Sequence, residues 1–132
     1  MGVNLGTEIR QLLLVALGAI PGALLRWQAA VHLAPVLPFA TAGADLLVNV
    51  IGAALLGYLV APPAIASGLL LALGIGFCGS LTTFSSWMLD MALLQHQGQQ
   101  LQALLVLLLS LCLGLIAAAS GYSLSARVRR QR

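Results

Sequence analysis

Lysine is absent from this chain, and acid nearly so: Glu8, Asp45 and Asp90 are the only carboxylates among 132 residues, against six arginines. Charged residues make up 7%, apolar residues 61%, and mean hydropathy is +1.04. So few charges cannot shield that much apolar surface from water, and the class is integral membrane. The scarcity also limits chemistry. Both histidines, His32 and His96, are expected in loops, so no nucleophile–histidine–acid set is expected. No glycine motif cradles phosphate, the acids are scattered, and nothing supports an enzyme. The two cysteines, Cys78 and Cys112, lie in apolar runs without metal-ligand spacing and read as small hydrophobes.

Four long apolar runs remain, too many for a cleaved secretory leader to explain. The first span is expected at about Gln11 to Val31, the second at Gly43 to Ala61, the third at Ala64 to Leu94 and the fourth at Leu101 to Leu124. The third, at roughly 31 residues, is too long for one straight crossing. It also carries Gly74, Gly76 and Gly79 with Ser80, Thr82, Thr83, Ser85 and Ser86. Backbone released from a helix in hydrocarbon must be satisfied by protein, ions or pore water, so this stretch reads as a helix broken near Gly79, over 79–82, lining something polar.

Four spans put both termini on one membrane face. Arg10, Arg127, Arg129, Arg130 and Arg132 lie on that face and Arg26 on the other, which predicts termini in the cytoplasm and a C-terminal tail that anchors topology. With no aromatics interleaved, the tail is a poor fit to nucleic acid.

Several polar residues admit two readings. Arg26 either snorkels to the interface or stands at the mouth of a water-filled vestibule. Asn49, in mid-span, either bonds a neighbouring helix or offers its amide donors to a ligand. Asp45, one turn earlier, reads as an N-terminal carboxylate favoured by the helix dipole or as a partner of Arg26. Ser110 either bonds the carbonyl one turn back or extends a polar track from Asn49. Phe84 and Trp87, at i and i+3, share a face and either pack or edge a site. In span one, Gly18 and Gly22 suit close helix packing, and Pro21 predicts a mild kink. The intramembrane inventory is mainly donors, which suits an anion, and aromatic edges add positive quadrupole charge. Unwound carbonyls suit a small cation instead. Together these describe an anion pathway with a structural cation at the break.

The motifs resemble the Fluc/CrcB family of fluoride channels. Gly22-Ala-Leu-Leu-Arg26-Trp27 is similar to a first-helix block of that family, Val48-Asn49-Val-Ile-Gly52 to a second, and Gly76-Phe-Cys-Gly79-Ser-Leu-Thr82-Thr83-Phe84-Ser85-Ser86-Trp87 to the third-helix signature. The blocks occur in family order across residues 18–90, while the fourth helix matches only in character. The resemblance implies an all-α, four-helix subunit that forms an antiparallel dimer with two pores and passes fluoride passively, selectively over chloride. It implies that Asn49 donates to fluoride, that Phe84 and Trp87 face the ion with their ring edges, and that Arg26 sits in the vestibule. Thr83 and Ser110 fall on the polar track, and the carbonyls of Gly79 and Thr82 hold a structural, untransported Na+. Such channels sit in the bacterial inner membrane and release fluoride that entered as HF.

This sequence departs from the family pattern at Trp87, where phenylalanine is usual, at Ser80 for glycine, at Asp45 for threonine and at Asp90 for glutamate. Its charge bias also bears on assembly: dual topology favours balanced charge, so the expected homodimer competes with a heterodimer of two oppositely oriented paralogues. A proton-coupled exporter resembling the small multidrug resistance transporters would need a buried glutamate in the first span, and Glu8 precedes it. A non-conducting assembly protein is the third reading.

Overall fold

The computed structural model describes residues 5–63 and 65–131, and it is all helix and turn. Ala64, where the third span was expected to begin, and Arg132 of the basic tail lie outside the described residues. Helix α1 runs Leu5–Leu33 and α2 Thr41–Val60. Ser67–Leu69, Leu70–Cys78 and Gly79–Leu81 continue one another as a single rod, α3. Then α4 spans Ser85–His96 and α5 Gln100–Arg130. Among the described residues, four segments are long and apolar enough to cross a bilayer: α1, α2, the bent span Ser67–His96 made of α3 and α4, and α5. The chain is a multi-pass membrane protein.

The first and fourth helices outrun their expected spans, whereas α2 stops at Val60 and the third span is helical only from Ser67. His32 and His96, expected in loops, lie in the last turns of α1 and α4. The first is helical from Leu5, the first described residue, and nothing between it and Gln11 interrupts it. The fourth continues to Arg130, since Ser, Ala and Arg after Leu124 are compatible with helix and the basic last turn favours its end. Pro21 stands inside α1, which runs through it.

Small residues decide which helices touch. In α1, Gly18 and Gly22 are the buried positions; a Cβ on Gly18 would strike the Ala72 carbonyl, and one on Gly22 the Phe77 carbonyl and the Ser80 hydroxyl. Gly76 answers from α3, against the Val15 carbonyl and the Gly18 Cα. Without a solvent-driven hydrophobic force, such backbone-to-backbone approach is what holds helices together in lipid. The pairing of α2 with α5 uses the same device: Gly57 abuts the Ala118 carbonyl and Gly121 the Ala54 carbonyl.

Within α3, Leu70–Cys78 is wound as a π-helix, and the Gly79 N–H reaches back to the Gly74 and Gly76 carbonyls. The widened turn lies where α3 meets the glycines of α1. A compact core of Ala42, Trp87, Met91, Ala103 and Val106 joins α2, α4 and α5. Elsewhere large apolar side chains face outward, among them Leu12, Leu17, Ile51, Leu115 and Ile116. On a membrane span such a surface meets lipid or another subunit.

Candidate functional site

Gly79, where the break was expected, keeps helical angles (φ −64°, ψ −30°), and the chain leaves the helix at Thr82, which is extended (φ −77°, ψ 151°). The interruption therefore occupies Thr82–Phe84, at the downstream edge of the expected stretch. A glycine permits a break without requiring one, and here the neighbouring side chains set its position.

Asn49 of α2 supplies what the broken backbone lacks. Its Nδ2 donates to the Thr83 carbonyl at 2.9 Å, and its Oδ1 accepts from the Thr83 N–H at 2.7 Å. The two bonds fix the amide orientation unambiguously. They also leave the second Nδ2 hydrogen as the remaining donor of this side chain. Of the two readings of Asn49, the bond across to a neighbouring span is the one formed. The hydroxyls finish the break. Thr82 Oγ1 donates to the Cys78 carbonyl at 2.9 Å, and Thr83 Oγ1 accepts from the Ser86 N–H at 3.2 Å, capping α4. Gly52 admits the Thr82 methyl against α2; a Cβ there would collide with it.

On the other side of the break, Ser80 Oγ donates to the Ala19 carbonyl at 2.8 Å, tying α3 to α1. Arg26 Nε donates to the Ser80 carbonyl at 3.2 Å, a cation at the C-terminal end of α3. Arg26 also lines a crevice of about 320 Å³ with Trp27, Ala30, Thr41, Asp45, Ser86, Leu89 and Asp90. Its side chain is half-buried. Asp45 and Asp90 are buried there, and the Thr41 hydroxyl donates to Asp90 Oδ1 at 2.7 Å. Sequence reasoning missed Thr41; its only signal was a hydroxyl at the start of a span.

The aromatic pair divides its labour. Phe84 and Trp87 meet edge to face, centroids 5.7 Å apart and planes at 60°. Phe84 is 71% exposed, whereas Trp87 is 6% exposed and packs in the core on Met91, Ala103 and Val106. Ser110 Oγ is buried and makes no hydrogen bond, so the back-bond to the preceding turn is not formed. Gly79 faces open space: an added Cβ meets nothing within 4 Å.

Arg129 of the tail carries a structural role that its charge alone did not reveal. Its Nη1 donates to the Ala61 carbonyl at 2.7 Å and the Pro63 carbonyl at 2.6 Å, and its Nη2 to the Tyr58 carbonyl at 3.3 Å. The guanidinium also lies 5.5 Å from the Tyr58 ring centroid. It closes the C-terminal end of α2.

Comparison with known proteins covers most of the chain. The family model described as CrcB-like protein, Camphor Resistance (CrcB), matches residues 13–122, which include α2, the break and most of α1 and α5. The chain is 53% identical over 126 residues to "Fluoride-specific ion channel FluC 2" of Synechococcus sp. (strain CC9902), covering 96% of this chain and 87% of that one. It is 54% identical over 127 residues to the protein of the same name from Parasynechococcus marenigrum (strain WH8102), covering 95% and 88%. A second protein of that organism, "Fluoride-specific ion channel FluC 1", is 43% identical over 117 residues, covering 86% and 92%. The chain belongs to the CrcB family.

Proposed function

We propose that this chain is a fluoride-specific ion channel, not an enzyme, and that it lets fluoride leave the cell passively and so limits its toxicity. The relatives' names support the activity. The observation that carries the reading into this chain is the Asn49–Thr83 pairing, which orients an amide beside a helix break and leaves one N–H unspent. Fluoride is small and strongly hydrated, so a path through hydrocarbon must replace its water with donors.

In this reading Asn49 donates to the ion, Phe84 and Trp87 border it, and Thr83 and Ser110 supply hydroxyls along the way. Arg26 raises the local anion concentration in its crevice. The working unit is an antiparallel homodimer in the bacterial inner membrane. The exposed Phe84 ring, the open face at Gly79 and the apolar surfaces of α1 and α5 all support a partner subunit. FluC 1 and FluC 2 proteins of one organism support the alternative, a heterodimer of paralogues.

A structural Na+ suits the carbonyls of Gly79 and Thr82. The Thr83 N–H, which would bond the Gly79 carbonyl in a helix, goes to Asn49. The Ser86 N–H, which would bond that of Thr82, goes to the Thr83 hydroxyl. Both oxygens thus lie where the helical ladder is interrupted and suit a hard monovalent cation. Bound there, the ion would supply fixed positive charge and hold the break in shape, without being transported.

The test is fluoride release from liposomes containing the purified chain alone, with chloride as control. Fluoride release without chloride release supports both channel and homodimer. Release only after adding a paralogue supports the heterodimer.

A further inference from the structure

We propose that the Trp87 indole N–H donates to the Asp90 carboxylate, and that Asp90 is thereby the positioning residue that fixes the Trp87 ring beside the helix break. The pairing itself needs no substrate; its consequence for conduction rests on the fluoride reading above. Two buried groups on α4 lack the partners they need. Asp90 is 8% exposed, and its Oδ1 accepts from the Thr41 hydroxyl at 2.7 Å, but its Oδ2 is buried without a hydrogen bond. Trp87 is 6% exposed, and its Nε1 is likewise buried and unpaired. A buried carboxylate oxygen without a donor is costly, and an indole nitrogen can only donate.

Their positions make them each other's partners. At i and i+3 they share a face of α4, with Cβ atoms about 5–6 Å apart in such a pair. Helical side chains lean back over the preceding turn, which carries the Asp90 carboxylate towards the indole. Both also meet the same end of α2: Trp87 packs on Ala42, and Asp90 bonds its neighbour Thr41. Other partners are poorly placed. Met91, Ala103 and Val106, which also pack in this core, hold no oxygen. Arg26, the cation lining the same crevice as Asp90, bonds the Ser80 carbonyl instead. With the bond made, Asp90 takes one donor on each oxygen. A chain of contacts then runs from Thr41 through Asp90 and Trp87 to Phe84, at the break. The indole N–H is spent inside the protein, and the ring angle is set from α2.

The 15N-labelled full-length protein in lipid nanodiscs gives an indole N–H resonance for each of its two tryptophans, assigned with Trp87→Phe. Trp27, 59% exposed, is the reference. Asp90→Leu should move the Trp87 resonance upfield, leave that of Trp27 in place, and lower fluoride release from liposomes several-fold. Asp90→Asn keeps an oxygen for the indole and gains an amide that can donate to Thr41, so it should restore both readings. Thr41→Val removes only the other bond of Asp90 and should leave the Trp87 resonance near its native place. Should Asp90→Leu fail to fold, the pair is read from its other member. Asp45 and Asp90 are the only aspartates, and the 13C carboxyl signal of Asp90 alone should move in Trp87→Phe. A Trp87 resonance unmoved in Asp90→Leu, or an Asp90 carboxyl unmoved in Trp87→Phe, overturns the inference. So does a native Trp87 resonance that moves on adding sodium fluoride, which would leave its N–H free for the ion. A shifted resonance with native release removes the positioning role. Coupled resonances in a protein that releases no fluoride keep the pair and overturn the fluoride reading.

Discussion

Asn49 and Thr83, 34 positions apart, are joined by two hydrogen bonds that pair one side-chain amide with both main-chain groups of one residue. The contact is what allows the third span to break inside the membrane. Asn49→Ala leaves the Thr83 N–H and C=O unpaired and is expected to destabilise the fold by about 2–4 kcal/mol. Asn49→Asp keeps the acceptor but sets a carboxylate oxygen against the Thr83 carbonyl, so it should lose stability and fluoride release together. Thermal unfolding in detergent and liposome efflux on the same preparations check both. Native efflux from Asn49→Asp would remove the residue from the pathway.

Phe84 and Trp87 should separate in the same two assays. Phe84→Ala removes a ring that is 71% exposed, so it should leave subunit folding nearly unchanged while lowering fluoride release. Trp87→Ala empties the core between α4 and α5 and should cost about 3–5 kcal/mol.

These two residues also mark how far the sequence is legible. The four spans follow from hydropathy alone, and Gly18 and Gly22 follow from small-residue packing, whereas the roles of Gly57 and Gly121 emerge only where α2 meets α5. The helix break was legible as glycine and hydroxyl enrichment, but its position at Thr82–Phe84 depends on Asn49 in another helix, which no local pattern encodes. The i, i+3 spacing of Phe84 and Trp87 gave their contact but not their opposite exposures. Those depend on where α5 passes, and the leucine-rich run 101–124 has too uniform a composition to say which face turns inward. The bond from Arg26 to the Ser80 carbonyl joins groups 54 positions apart and has no local signal either.

The α2–α5 seam makes a steric prediction. At Gly57 and Gly121 a side chain would meet the backbone of the facing helix, with no flexible group to yield. Gly57→Val or Gly121→Val should force the helices apart and cost at least about 1–3 kcal/mol. Size-exclusion profiles should show aggregation. Gly114→Ala, where an added Cβ meets nothing within 4 Å, is the control expected to behave as native.

Arg129 holds three carbonyls at the end of α2, a geometry that depends on its planar fork. Arg129→Lys keeps the charge but not the bonding pattern, so it should lower the unfolding temperature nearly as much as Arg129→Ala. Equal stability of native and lysine proteins would make the residue a topology charge only.

The most direct measurement is fluoride efflux from liposomes bearing the purified chain, followed with a fluoride electrode and repeated with chloride. The account predicts rapid fluoride release, no chloride release, and loss of the fluoride signal in Asn49→Asp. Release of both anions alike, or silence from a folded dimer both alone and mixed with a paralogue, would contradict it.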